Sequence, residues 1–273
     1  MARLTGITLR QGAMVAMAIV SLYPIWFLLQ TGLKTNEQYT LSPTGFPSHP
    51  TLENLRRVIV DLPVPRWALN SAIVTLCSVS ISTAIAVLAA YAIVFSAMRF
   101  REALLRVNLA LMVIPPVALL IPMFVFMVDA GLINSLASVV IFYSGLMVPF
   151  SVFFFVNFFR QFPAELIDAA TVDGAAPLTI LRRVVLPISK AATFTLVIVN
   201  AIWVWNELLI ALVFLQDESR RTLMAGLTLF QGRYATNEPL VLAGALVSIV
   251  PVILVYLAGQ RFFVRGLTAG IGR

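Results

Sequence analysis

The sequence predicts an all-α protein that crosses a membrane six times. Hydrophobic residues make up 60% of the 273-residue chain and charged residues only 11%, and mean hydropathy is +0.96. Soluble domains carry about 25% charged residues, so this is not the composition of a water-soluble core. Apolar runs of the ~20 residues that a helix needs to cross hydrocarbon also recur along the chain.

The first run covers about residues 12–33 and follows Arg3 and Arg10. It is longer than a signal-peptide core and lacks a small-residue cleavage site, so it reads as a retained span. Residues 34–66 are polar and proline-rich, an extramembrane loop with a short amphipathic helix near Thr51 to Val60. Further spans are expected at about 67–97, 107–128, 136–159, 191–215 and 240–263. Pro115, Pro116 and Pro122 fall in the third, Pro149 in the fourth and Pro251 in the sixth. Each removes a helix hydrogen bond, so bends are expected there. The cluster Phe150 to Phe159 reads as a lipid-facing surface, and Cys77 as a small buried thiol.

Several chemistries are excluded early. One cysteine and one histidine, His49, leave no intrachain disulfide and too few ligands for a Cys/His zinc site. No G-x-x-x-x-G-K-[ST] phosphate loop occurs, so any nucleotide chemistry belongs to a partner, and no cofactor is expected on this chain. The net charge of +7 records topology and not a nucleic-acid partner. Twelve of the nineteen basic residues fall on one side: Arg3, Arg10, Arg99, Arg101, Arg106, Arg160, Arg182, Arg183, Lys190, Arg261, Arg265 and Arg273. The other side holds Lys34, Arg56, Arg57, Arg66, Arg220, Arg221 and Arg233. The richer side is expected in the cytosol, with both termini and the loop 160–190.

Within that loop lies DAATVDGAAPLTILRRVVLP, Asp168 to Pro187. Pro163 and Glu165 suit the start of a helix, and Gly174 the left-handed position that ends one. Glu165 and Asp168, three residues apart, share a face, and Ala169 and Ala170 keep the surface beside them thin. A second helix is expected from Pro177, with Leu178, Leu181 and Val185 as its apolar stripe and Pro187 as its break. Such a pair serves either as a solvated connector or as a docking element for a partner groove carrying basic residues.

Asp168-Ala169-Ala170, three residues, Gly174, nine residues and Val184-Val185-Leu186-Pro187 resemble the signature E-A-A-x3-G-x9-I-x-L-P of ATP-binding-cassette (ABC) importer permeases. Asp replaces Glu, one methylene shorter, and Val replaces Ile. Val172-Asp173-Gly174-Ala175, Asn70-Ser71, Trp205-Asn206-Glu207 and the ending Gly266 to Gly270 are similar to the carbohydrate (maltose-type, MalG-like) branch. The resemblance covers nearly the whole chain. It implies a type I importer permease with the MetI-like fold, a single membrane domain over residues 1–273 of a bacterial or archaeal inner membrane. Glu165, Asp168, Ala169, Ala170, Asp173, Gly174 and Pro187 would form the coupling element that docks on a cytosolic ATPase dimer, where ATP and Mg are used. The implied partners are a second, homologous permease, an extracytoplasmic solute-binding protein, a sugar and the membrane lipid. The loop of about 216–239, with Arg220, Arg221, Gln231 and Gly232, would meet the binding protein. The tail Arg265 to Arg273 would reach the ATPase.

Glu207 is the one acidic residue in an expected span, where an ionisable group is costly and faces protein or water. With Trp205 and Asn206 it reads as a pathway or gate position, with Trp203 or Trp205 as an aromatic platform. The alternative is a buried Glu near a helix break or paired with the companion subunit. An ion-coupled secondary transporter would call for more intramembrane carboxylates. A membrane-embedded enzyme would need convergent catalytic groups, and none is apparent. A permease for a non-sugar solute such as a glycerophosphate remains the other reading.

Overall fold

The computed structural model describes residues 2–96, 98–233 and 237–269, with side chains described at 10–96, 98–230, 237–254, 256 and 257. Every regular element among them is helical. The chain forms two compact units: residues 1–68 with 225–251, and residues 69–224 with 252–273.

In the first unit, α1 (Ala2–Gly32) is followed by short helices at Asn36–Leu41 and Glu53–Arg56, the latter continuing as a π-turn over Arg57–Asp61. A Cβ on Gly32 would stand 3.5 Å from Cα of Ala243, a close backbone approach of the kind small residues give membrane helices. Asn54 folds the following loop back, donating to the carbonyls of Gly32 at 3.0 Å and Lys34 at 2.7 Å. Lys34 was counted above with the exposed charges. It is instead only 1% exposed, and its ammonium donates to the carbonyls of Ser42 and Pro43 at 2.9 and 2.8 Å. Burial pushes its pKa down. Trp67, fully buried, lies against Gly226, where an added Cβ would fall 2.2 Å from the indole. Gly226→Ala is therefore expected to destabilise the protein by about 1–3 kcal/mol through overpacking, read as a lower unfolding temperature of the detergent-purified chain.

The second unit carries most of α2 (Val64–Phe95), then α3 (Arg101–Leu111), α4 (Leu120–Asp129) and α5 (Leu136–Phe159). After α5 come α6 (Ala164–Val172), the segment α7 (Pro177–Ile188), α8 (Lys190–Asn206) and α9 (Leu209–Phe214). The helices α10 (Leu223–Arg233) and α11 (Glu238–Ala269) run between the two units. Three unbroken helices are long and apolar enough to cross a membrane: Arg10–Gly32, Val64–Phe95 and Leu136–Phe159. Two bent pairs add up to two more, one turning by 93° between Leu111 and Pro116, the other by 78° between Ile188 and Lys190. Pro115 and Pro116 explain the first bend, since neither can donate to a preceding carbonyl. Pro149 and Pro251, by contrast, sit inside continuous helices.

The core of this unit joins Ala86 and Ala90 of α2, Phe155 and Phe159 of α5, Leu181 and Val185 of α7 and Leu196 of α8. Phe155 and Phe159 are fully buried, which corrects the lipid-facing reading for that half of the cluster; Phe150 and Phe153 do stay exposed. Cys77 is likewise exposed, not buried. Both corrections share a cause: α2 and α5 are apolar all round, so composition alone assigns no inward face. Polar ties reinforce the packing where lipid offers no hydrophobic drive. Asn108 donates to the Pro149 carbonyl at 2.9 Å, and Asn200 to the Ser151 hydroxyl at 3.0 Å.

Candidate functional site

The loop 160–190 combines an exposed helix with a buried anchor. Pro163 stands at the N-cap of α6, and Glu165 lies in its first turn, where a carboxylate meets the positive end of the helix. No residue of α6 is fully buried. Glu165, Asp168 and Ala169 are exposed, whereas Ile167 and Ala170 pack on the core cluster. Only Ala169 therefore thins the surface beside the acids. α6 ends in a Schellman motif: the Ala175 amide donates to Ala170 O and that of Gly174 to Thr171 O, both at 3.0 Å. Gly174 takes φ +77° there, with nothing within 4 Å of where a Cβ would lie. Asp173 and Gly174 are both exposed.

The second half is seated differently from the expected stripe. The chain winds as a π-turn over Leu181–Val185 and continues helical through Pro187 to Ile188, so the bend comes at Ser189, one turn later than expected. The wide turn lets the chain pass Pro187 without its ring striking the carbonyl four residues back. It also shifts the helical phase. Ile180, Leu181 and Val185 are buried, and Leu178 is 49% exposed. Arg182, Arg183 and Pro187 face outward. Two apolar residues that sequence reasoning passed over stand out on α6, Leu166 and Val172, the latter 87% exposed. Their positions off the inward face of α6 were the available signal. The Arg160–Glu102 pair, 3.7 Å apart and well exposed, adds little.

A second set of residues gathers where the fifth apolar run breaks. α8 ends at Asn206, Glu207 is extended at φ −72° and ψ 128°, and α9 begins at Leu209. The Glu207 carboxylate accepts from the Ile210 amide at 3.1 Å and the Ala211 amide at 3.3 Å, and the Tyr143 hydroxyl donates to it. Tyr143, unnoticed in the sequence, packs edge-on against Trp203 at 5.7 Å. Asn206 donates to Ile202 O at 2.8 Å, and Trp205 is partly exposed. A cavity of about 260 Å³ opens beside Trp203, lined also by Pro116, Met147, Phe150 and Asn200.

The connection from α9 to α10 is pinned at both ends. Asn134, in the left-handed region at φ 58°, donates through its amide to Phe214 O at 2.9 Å. It also accepts from the Asp217 amide and from Arg220 Nη1, both at 3.0 Å. Asn70 donates to the carbonyls of Ser219 and Arg221 at 3.1 and 2.9 Å, and Ser71 accepts from the Leu223 amide at 2.8 Å. Arg220 is exposed; Arg221 is partly buried, with Nε lacking a partner among the described residues. The side chains of Gln231 and Gly232 lie outside the described residues, as do those of the tail from Arg265 on and the backbone of 270–273. Asn70→Ala removes both carbonyl ties, so tryptic cleavage after Arg220 and Arg221 is expected to speed up severalfold in the purified protein.

Residues 70–268 match the model of the family described as "Binding-protein-dependent transport system inner membrane component". The chain belongs to that family. This binding-protein-dependent permease is 35% identical over 267 residues to the sulfoquinovosyl glycerol transport system permease protein SmoH of Agrobacterium fabrum, covering 97% of this chain and 94% of that one. It is 33% identical over 266 residues to the trehalose/maltose transport system permease protein MalG of Thermococcus litoralis, covering 94% and 93%. Its structure is similar to a chain of a bacterial ABC transporter that imports the acidic polysaccharide alginate. There the TM-score is 0.82 with 28% identity, covering 96% of this chain and 97% of that one. The permease is thus a multi-pass membrane component of a transport system, with the all-helical fold of importer permeases.

Proposed function

We propose that this permease forms one half of the translocation pathway of an ABC importer for a sugar or sugar-like solute. Relatives whose names specify sulfoquinovosyl glycerol and trehalose or maltose, together with the alginate importer, support the solute class. Its partners are a second, homologous permease, a cytosolic ATPase dimer that holds ATP and Mg, and an extracytoplasmic solute-binding protein. The loop 160–190 and both termini face the cytosol. The other half of the pathway, and most solute selection, belongs to the companion permease and the binding protein. Trp205, Asn206 and Glu207 stand at the pathway's break, and Arg220, Arg221, Gln231 and Gly232 on the side that meets the binding protein.

One observation carries this reading. An exposed helix bearing Glu165, Asp168 and bare apolar side chains ends in a left-handed glycine and is joined to an anchor buried among the spans. A solvated connector gains nothing from exposed Leu166 and Val172, whereas a groove on an ATPase would cover them. The complex is expected to hydrolyse ATP and to take up, from proteoliposomes' outer medium, whatever sugar its co-purified binding protein holds. Uptake by vesicles containing this chain alone, driven by an ion gradient without ATPase, would instead support ion-coupled transport.

A further inference from the structure

Nothing in the sequence WNELL supplies a helix breaker, yet the fifth apolar run breaks at Glu207. The first amides of α9 have no intrahelical partners and, in a bilayer, no water to turn to. The Glu207 side chain fills that need, taking the amides of Ile210 and Ala211, and Tyr143 of α5 holds the same oxygen, Oε2. The far end of α9 is tied to the same region. Phe214 O accepts from the Asn134 amide at 2.9 Å, just before α5 begins, and the Phe214 ring lies 5.4 Å from Phe142.

All these ties reach α5 before Pro149. The tie from α8 reaches it after: Asn200 donates to Ser151 at 3.0 Å. Pro149 itself withholds the amide that would close on the Gly145 carbonyl, which softens α5 at that point. It lies six residues, about 9 Å of helix, from Tyr143. The bend between Leu111 and Pro116 lies nearby, because Pro116, Met147 and Asn200 line one cavity. Three interruptions in neighbouring helices thus divide a half of this unit that adjoins the 160–190 loop from a half beyond it.

We propose that Tyr143 and Glu207 are positioning residues: they latch α9 to the first half of α5 so that the two move as one body, with flexure at Glu207–Leu208 and Pro149. This deepens the importer reading and rests on it for its consequence in transport. Glu207 acts through the backbone of α9, and its carboxylate is occupied by its own chain, not by solute.

The test uses the full importer in nanodiscs, with permease variants Tyr143→Phe, Glu207→Ala and the double variant. Amide exchange in the segment 209–214 is expected to quicken at least tenfold in each, with 191–205 unchanged. The double variant is expected to be no faster than Glu207→Ala alone. Basal ATP hydrolysis stays within about twofold, while its stimulation by the solute-binding protein falls at least fivefold. Tyr143→Phe keeps the ring and its contact with Trp203, so it guards against simple misfolding. Unchanged exchange in 209–214, or effects of the two single variants that multiply in the double, would overturn the latch. Wild-type complex that hydrolyses no ATP would instead count against the importer reading, leaving the exchange result to decide the latch by itself.

Discussion

Gly174→Trp leaves the permease folded in its membrane and abolishes ATP hydrolysis stimulated by the solute-binding protein. Two effects of the substitution have to be separated. The backbone at φ +77° disfavours any side chain with a β-carbon, by about 1–2 kcal/mol. The space around it does not: no atom lies within 4 Å of the added Cβ, so the indole meets nothing of its own chain there. Gly174→Asn is the control, because asparagine tolerates the left-handed region and adds only modest bulk. If docking on the ATPase is what Gly174 serves, the order of stimulated activity is glycine, asparagine, tryptophan, while unfolding temperatures of the three stay within a few degrees. Full stimulation in Gly174→Trp would remove the loop from the coupling interface.

Leu181→Ala is expected to act from the other side of the same loop. Leu181 is buried with Val185 among the side chains of α2, α5 and α8, so a cavity there loosens the seat of α7 and not its exposed face. Core Leu→Ala changes cost about 2–5 kcal/mol. The ATPase still docks, because Glu165, Asp168 and Gly174 are untouched, and basal hydrolysis continues. Solute delivered per ATP hydrolysed drops at least fivefold, since the loop now moves without carrying the spans. Measuring uptake and phosphate release in the same proteoliposomes checks this; an unchanged ratio would mean that the anchor only stabilises the fold. Asp168→Glu, which restores the missing methylene of the signature, is expected to keep or slightly raise that ratio in the same assay.

How much of this was legible in the sequence depended on whether a residue type dictates backbone geometry. Pro163 and Gly174 bound α6 because one has a fixed φ and the other takes a positive one. The bend at Pro115 and Pro116 follows in the same way. The break at Glu207 was hidden because no residue there forces it; it is held open by a side chain that caps the next helix and by a tyrosine 64 positions away. Buried faces were hidden for a different reason. In helices apolar on every side, Phe155 and Phe150 look alike, and only tertiary packing tells core from lipid. Asn70 and Ser71 drew attention by resemblance alone, and it took the geometry to give them work, as ties on the connection to α10.

The π-turn at Leu181–Val185 means that the nine residues between Gly174 and Val184 do not count off as simple α-helix. It accommodates one residue more than the regular helical pitch would. Deleting a single residue there would let the segment relax to ordinary pitch and rotate everything beyond it by about 100°. Leu186 and Pro187 would then leave their places, and the start of α8 would be aimed elsewhere. Point substitutions on the exposed side of this turn should be absorbed quietly, whereas a one-residue insertion or deletion should disable the transporter. In this stretch, chain length acts as a gear setting between the loop and the spans.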